Sequence, residues 1–341
     1  MNSPPVSIIL PYRNVSKELN RCLQSIKNQT MRDWDLLAID DGSTDESFEL
    51  FSLASEDDPR IQTYRSIGSG IVDALNLGLS ISRAPIVARM DADDVMMPSR
   101  LQKQFKFLVE NPSVDLVASQ VFYKNKADVI RVSGFKHYVE WSNHILTEEE
   151  IELSQFEESP VVHPSVMFKR DVIIENGGYR NGLFPEDYEL WLRCLSKGVK
   201  FHKIEDKLLE WVDSDQRASR KQSQYLKEAF QRAKALYLGS WLSRKGLSGK
   251  SLCAWGAGEV AKKQAILLKE NDLNIEEFYD TDPAKIGRTV DGVIVSSVDN
   301  IQPNDQKFLL ILAGARSIKL KIKTFLNERK LICGKHYLFL A

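Results

Sequence analysis

No run in this chain approaches the roughly 18 consecutive apolar residues that a membrane-crossing helix needs. The apolar stretch near the start, Val6-Ser7-Ile8-Ile9-Leu10, is short and lacks the basic flank of a secretory leader. Cysteine is scarce and scattered. Cys22, Cys194, Cys253 and Cys333 form no pair at metal-ligand or redox spacing, so reduced thiols in a cytosolic setting are expected. An excess of one charge is missing too. Lys and Arg number 46 against 47 Asp and Glu, a net charge of −1, so the chain as a whole is no polyanion binder. Repeats and low-complexity tracts are absent. What is present fits a globular protein with an adequate core: 43% apolar and 27% charged residues over 341 positions. At roughly 150 residues per domain, that length suggests two domains.

One stretch organises the rest. Ile86-Val87-Ala88 is apolar enough for a buried strand, and it runs out into Asp91, Asp93 and Asp94. Pro98 then opens a helical pattern with Leu101, Phe105 and Leu108 at spacings of three and four. Clustered carboxylates repel one another unless a cation or hydrogen-bond donors hold them. A hard divalent ion bridging to a diphosphate suits them. The plain alternative is a solvated acidic turn before a helix.

The surroundings favour a site. Val6 to Leu10 reads as a strand stopping at Pro11, with Tyr12-Arg13-Asn14 as its loop. Trp34 to Ile39 reads as a second strand running into Asp40-Asp41-Gly42-Ser43. Arg60 to Tyr64 is a third, and Gly68-Ser69-Gly70 precedes a helix over 71–82. Alternating strands and helices imply α/β architecture with a mostly parallel sheet. In such sheets ligands gather at the C-terminal strand ends, where all three polar loops fall.

Beyond residue 110 the pattern is mixed. Val114 to Tyr123 and Val161 to Phe168 read as strands, with helix over 137–155 between them. Pro185 suits the first turn of a helix, and Glu186 and Asp187 follow it. There the helix dipole keeps a carboxylate ionised, able to take a proton from a hydroxyl nucleophile. An ordinary acidic first turn is the alternative.

Read together, VSIILPYRN, LLAIDDGSTD, ALNLGL, IVARMDADDVMMPSRLQKQ, HPSVMF, GGYR and PEDYELWLRC have a familiar order. Over residues 5 to about 215 the chain resembles the large inverting family of bacterial-type glycosyltransferases with a GT-A fold. The resemblance implies a nucleotide-sugar donor, a divalent metal (Mn²⁺ or Mg²⁺), and displacement at the anomeric carbon with inversion. It implies nucleoside contacts from Pro11 and Arg13, a base contact from Asp41, a ribose contact from Asp91, and metal ligation by Asp93. Asp187 matches the catalytic base. Glu186 beside it and His163 fall on the acceptor side, although a lone His at a strand end also serves structure. The Gln-x-x-Arg-Trp signature and membrane helices of processive synthases are missing, so transfer of a single sugar is expected.

After Trp211 the composition shifts. Residues 214–250 carry nine Lys or Arg against Asp215 and Glu228, a local net of +7. Leu226, Phe230, Ala233, Tyr237 and Trp241 fall on one helical face. Such a basic amphipathic helix suits a membrane surface or nucleic acid, or packs between domains with its charges solvated. From Gly249 a new α/β unit starts. Gly256-Ala257-Gly258-Glu259-Val260-Ala261 follows the strand Ser251 to Trp255, and Asp280 ends the next strand. This is the dinucleotide-binding fingerprint in the right context, but in a unit of about half the usual length. A platform whose glycines serve only the turn is the favoured reading, with a bound dinucleotide as the alternative.

The expected division is a GT-A glycosyltransferase domain over 1–215, a basic helical linker over 216–248, and a small Rossmann-like domain over 249–341. With WGAGEVAKK, YDTDPAKIG and the closing HYLFLA, the layout resembles a narrower group. That group includes the enzyme galactosylating the queuosine base of transfer RNA and transferases of surface glycans. The expected acceptor is accordingly a glycan or lipid-linked precursor, with tRNA as the alternative. Arg316, Lys319, Lys321 and Lys323 would suit either anionic acceptor. A UDP-sugar donor and a cytoplasmic location, with peripheral contact at the inner membrane face, complete the expectation. A sugar-nucleotide-binding regulator without turnover is the reading from another class.

Overall fold

A computed structural model of the chain describes residues 3–66, 70–125, 133–213, 223–314 and 316–341. They fall into two compact units. The first comprises Met1–Ile151, Pro160–Gly182 and Glu186–Tyr225; the second comprises Glu152–Ser159, Leu183–Pro185 and Leu226–Ala341.

The strands of the first unit are β1 (Val6–Tyr12), β2 (Trp34–Asp40), β3 (Ile61–Arg65), β4 (Ile86–Arg89), β5 (Val95–Met96), β6 (Leu116–Asn125), β7 (Met167–Lys169) and β8 (Phe201–Asp213). The helices up to residue 196 are α1 (Leu19–Lys27), α2 (Ser47–Asp57), α3 (Ile71–Ile81), α4 (Arg100–Glu110), α5 (Ser133–Asn143), α6 (Glu148–Ser154), α7 (Arg170–Glu175) and α8 (Glu186–Ser196). One eight-stranded sheet runs β3-β2-β1-β4-β7-β6-β8-β5. Its first four strands are parallel, and β7 is antiparallel to both β4 and β6. The strand order reverses between β1 and β4, which is where open α/β sheets place ligands.

Successive residues of β1 explain the two covered faces. Ile8 and Leu10 join a core with Cys22 and Leu23 of α1 and Phe51 of α2. Ile9 joins another, with Leu75 and Leu79 of α3 and Leu190 and Trp191 of α8. A parallel sheet buried on both faces needs this near-continuous apolar run. Pro11 does not end β1 as its sequence suggests; it lies inside the strand, opposite Ile39 of β2. Pairing with β4 stops at Ile9 opposite Arg89, so beyond it one side of β1 tolerates a residue without an N–H.

Two further stretches differ from their sequence pattern. Val161 to Phe168 forms a strand only from Met167; His163–Ser165 is a 3-10 turn, which Pro164 favours at its first positions. Residues 137–155 form two helices instead of one. The thirteen-residue β8 has charged residues at its centre, Glu205-Asp206-Lys207, where pairing with β6 is irregular and the side chains are exposed. Those charges mask the strand pattern.

The second unit contains α9 (Lys227–Arg244), β9 (Ser251–Trp255), α10 (Glu259–Lys269), β10 (Ile275–Asp280), β11 (Thr289–Val290), β12 (Val293–Ser297), β13 (Lys307–Ile311), α11 (Arg316–Glu328) and β14 (Tyr337–Phe339). Its sheet runs β11-β12-β10-β9-β13-β14, parallel apart from the β11–β12 pair. This is a small doubly wound unit with its reversal between β9 and β13. Of the expected apolar stripe on α9, Ala233 and Trp241 are buried and Phe230 and Tyr237 half-buried. Leu226 is exposed, whereas Gln231 and Lys234 are buried beside Ala233, Leu238 and Trp241. The Lys234 ammonium is satisfied by the carbonyls of Glu157 and Leu340, each at 2.9 Å. The basic residues at 214–222 lie outside the described residues.

The seat of α3 against β1 gives a stability test. A Cβ at Gly78 would lie 2.6 Å from the Ile9 Cγ2, which is a stiff β-branched side chain buried in a central strand. Gly78→Ala is expected to destabilise the protein by about 1–2 kcal/mol in urea unfolding. Overpacking of about 1–3 kcal/mol outweighs the gain of about 1 kcal/mol in helix propensity.

Candidate active site

The C-terminal ends of β1, β2 and β4 supply the expected donor-side residues. Asp41 follows β2, and its backbone N–H donates to the Tyr12 carbonyl at the end of β1 (2.9 Å). Its carboxylate accepts the Gly70 N–H at 3.1 Å. Gly70 has φ +122°, a backbone conformation that side chains rarely adopt, so a glycine suits this turn. Burial pushes the Asp41 carboxyl up, while the Gly70 N–H and the Arg13 charge oppose that. Asn14 clasps the two loops together: its side-chain oxygen accepts from the Thr44 N–H (2.8 Å) and its own N–H donates to Ser43 (3.1 Å). Pro11 is buried and Arg13 is exposed beside it.

Across the reversal point, β4 delivers the acidic cluster. Asp91, Asp93 and Asp94 each place a carboxylate oxygen within 4.8 Å of the others. Asp94 is fully buried and accepts the Val212 N–H at 2.8 Å. Asp91 pairs with Arg89, and the Arg21 guanidinium holds the Asp93 carbonyl at 3.0 Å. Three hard oxygen donors within one ion's reach are a donor set that fits Mg²⁺ or Mn²⁺. Cys22 lies behind them, its thiol 3.6 Å from the Asp91 carbonyl. Burial and the three carboxylates hold that thiol well above its ordinary pKa, so it stays protonated.

The acceptor-side residues reach the same sheet edge by another route. Since β7 runs antiparallel to β4, the His163–Ser165 turn before it lies beside the end of β4, and the Arg89 N–H donates to the Val166 carbonyl (3.0 Å). Residues Gly177 and Gly178, at φ +87° and +61°, turn the chain so that Tyr179 meets His163, phenol to Nε2 at 2.8 Å. A Cβ on Gly178 would strike the Asn76 Oδ1 at 2.7 Å, and that oxygen accepts the Tyr179 N–H. Helix α8 holds the turn. Arg193 bonds the carbonyls of Asn176 and Gly178 and pairs with Glu189, both side chains nearly fully buried. The other end of α8 carries Glu186 and Asp187. Glu186 is buried, whereas Asp187 keeps 22% exposure and has an oxygen 3.9 Å from the His163 Nδ1.

One buried cation joins the two sets. Arg89, on the last position of β4, is 2% exposed. Burial works against its charge, but Asp91 and Glu186 hold its pKa above the ordinary value. Burial likewise raises the carboxyls of Glu186 and Asp187, with Arg89 pulling both back down. Behind Arg89 lies a second buried cation, Arg100 of α4, which donates to the Arg89 carbonyl at 2.8 Å. Burial lowers the Arg100 pKa to about 9. Its neighbour Gln104 donates to the carbonyls of Val117 (3.1 Å) and Ser165 (2.8 Å). Helix α4 thereby ties the end of β4 to the His163 turn.

Arg89, Arg100, Tyr179 and Tyr225 are not among the residues singled out from sequence. The available signal for Arg89 was an arginine closing an otherwise apolar strand two positions before an aspartate. Burial lowers the pKa of His163 well below the usual value, and the nearby Arg89 charge adds to this. The ring is therefore neutral at neutral pH. Its NMR signals are expected to stay constant between about pH 5.5 and 8, across the ordinary histidine pKa. A titration step in that window would contradict the burial argument.

Comparison with known proteins adds the following. Residues 7–177, half of the chain, match the family described as Glycosyl transferase family 2. The uncharacterized glycosyltransferase MJ1057 of Methanocaldococcus jannaschii is 29% identical over 217 residues, covering 62% of this chain and 71% of its own length. The O-antigen biosynthesis glycosyltransferase WbnJ of Escherichia coli is 29% identical over 211 residues, covering 60% of this chain and 78% of its own. Among solved structures, S. aureus TarS 1–349 in complex with UDP-GlcNAc superposes with a TM-score of 0.55 at 15% identity, covering 78% of this chain and 80% of that one. That likeness concerns the fold, which is GT-A.

Proposed function

The chain belongs to glycosyl transferase family 2, and from that premise we propose that it moves one sugar from a UDP-sugar to an acceptor hydroxyl with inversion at the anomeric carbon. The observation that carries this reading is the buried Arg89, which pairs with the DxD carboxylate Asp91 and whose charge also acts on Glu186 and Asp187. A transferase needs its donor and acceptor groups close together, and one cation whose charge acts on both carboxylate sets fits that need.

In this reading Pro11 and Arg13 flank the nucleoside, Asp41 takes the base and Asp91 the ribose. Asp93 is the principal metal ligand. Bound Mn²⁺ or Mg²⁺ would neutralise the leaving diphosphate. Asp187, the more exposed carboxylate of its pair, takes the proton of the acceptor hydroxyl. The oxygen forms its bond to the anomeric carbon as the sugar–diphosphate bond breaks, and the nucleoside diphosphate leaves with that electron pair. His163 is neutral and hydrogen-bonded to Tyr179. It borders Asp187 on the acceptor side, where Glu186 is also assigned.

The acceptor we favour is a surface-glycan or lipid-linked glycan precursor; a relative named for O-antigen biosynthesis supports it. Among the described residues no helix is long and apolar enough to cross a membrane. Action on the cytoplasmic side, at the inner membrane face, accords with such a precursor. The net charge of +7 over residues 214–250 favours an anionic acceptor, and transfer RNA is the second reading on that ground. For the second unit we favour a platform over a dinucleotide site. The Asp280 carboxylate already accepts the N–H groups of Ala257 (2.8 Å) and Asp282 (3.0 Å) and binds Lys285 (3.1 Å), which occupies the group the fingerprint reserves for a ribose.

Asp187→Asn is expected to abolish transfer while leaving donor affinity nearly unchanged, read by nucleotide release beside UDP calorimetry. Surviving activity would place the base elsewhere. Asp93→Ala is expected to remove the Mn²⁺-dependent part of UDP binding; metal-dependent binding that persists unaltered rejects Asp93 as a ligand.

A further inference from the structure

Two adjacent carboxylates open α8, and their surroundings differ. Asp187 keeps part of its surface open, with its Oδ2 towards His163. Glu186 is 3% exposed. Its Oε2 accepts a hydrogen bond from the Tyr225 phenol at 2.7 Å, and the Gln224 amide lies 3.4 Å from the same oxygen. Both partners belong to one short turn after β8, Ser223–Tyr225, within the basic 214–250 segment and outside the family-like motifs. The charged groups acting on Glu186 are Asp187 and Arg89. The Tyr225 ring is half-buried, and its phenol pKa is raised strongly, first by burial and then by Glu186 and Asp187, so it remains a donor.

A buried carboxylate next to the reacting one is a hazard unless something fixes it. Left loose, Glu186 competes with Asp187 for Arg89 and for the acceptor's proton, because the two are consecutive residues with the same chemistry. A directed phenol donor removes that freedom. We propose that Tyr225 is a positioning residue for the transfer reaction: its hydroxyl anchors the Glu186 carboxylate and so leaves Asp187 as the carboxylate presented to the acceptor. The inference rests on the reading of Asp187 as the base. It adds a residue that acts only through another, on a segment outside the matched family region of 7–177.

The geometry makes the role separable from packing. Tyr225→Phe keeps the half-buried ring and deletes only the donor. Glu186→Gln keeps the side-chain shape and replaces the charged acceptor. Both are made in the full chain, and UDP release is followed from UDP-glucose, UDP-galactose and UDP-N-acetylglucosamine with Mn²⁺, beside UDP–Mn²⁺ calorimetry and thermal unfolding. For Tyr225→Phe, kcat is expected to fall about tenfold to a hundredfold, the size of losing a hydrogen bond to a charged group. KM for the donor and UDP affinity should stay within about twofold, because the donor side does not contact Tyr225. Glu186→Gln should show the same split.

A Tyr225→Phe protein with kcat within about threefold of the parent overturns the proposal. So does a loss of kcat matched by an equal loss of UDP affinity, which would mark a general disturbance of the site. A Glu186→Gln protein with parental kcat overturns it as well, since Tyr225 then has nothing to act through. Asp187→Asn run alongside keeps the two readings apart. An active Asp187→Asn protein rejects the base assignment, whereas an inactive one beside a parental Tyr225→Phe rejects only the role of Tyr225.

Discussion

The arrangement depends on one buried charge. An arginine at 2% exposure is costly unless anions and carbonyls surround it. Arg89 meets that demand by drawing Asp91 from its own loop and the Glu186–Asp187 pair from the start of α8 into one electrostatic neighbourhood. The reverse demand is as strong. Five carboxylates on two short segments repel in a half-buried setting, and Arg89 supplies part of the positive charge that lets them coexist. Removing either side leaves an uncompensated buried charge, so the site and the local fold stand or fall together.

Around this centre the scaffold is stiff where it has to be. Arg100 and Gln104 of α4 fix the carbonyls of Arg89 and Ser165, so the metal-side loop and the His163 turn move as one. On the far side, the Arg193–Glu189 pair and the fit of Gly178 against Asn76 fix Tyr179, which in turn sets the orientation of His163. These supports are buried and polar, each with named partners, the arrangement expected where geometry to a fraction of an ångström matters. The second unit has a sheet order of the same kind at its core, yet its glycine loop holds a carboxylate of its own chain, Asp280, against the Ala257 N–H.

The first hundred residues are legible because each strand carries a continuous apolar run ending in a polar loop. The parallel register then carries Pro11, Asp41 and Asp91 to one edge without further information. Legibility fails where tertiary contacts decide. Pro11 lies within β1 because one side of that strand is unpaired beyond Ile9. The charges at the centre of β8 hide a long strand, and α9 buries the polar Gln231 and Lys234 beside its apolar residues. The same limit applies to the site. Carboxylates announce themselves by clustering, whereas Arg89 looks like any strand-end cation and Tyr225 has no motif. Their meaning lies in pairings between segments far apart in the sequence, which a linear pattern does not carry.

The claim that one cation unites donor and acceptor groups is tested most directly at Arg89 itself. Lysine there keeps the charge but loses the planar fork of donors, and its shorter reach gives it one point of contact. The decisive measurement is UDP–Mn²⁺ calorimetry on folded Arg89→Lys protein, read beside its rate of nucleotide release from UDP-sugars. The account predicts that both donor affinity and turnover fall in this single variant. A protein that keeps parental affinity and parental turnover would contradict it, and the two carboxylate sets would then be independent features sharing one edge of the sheet.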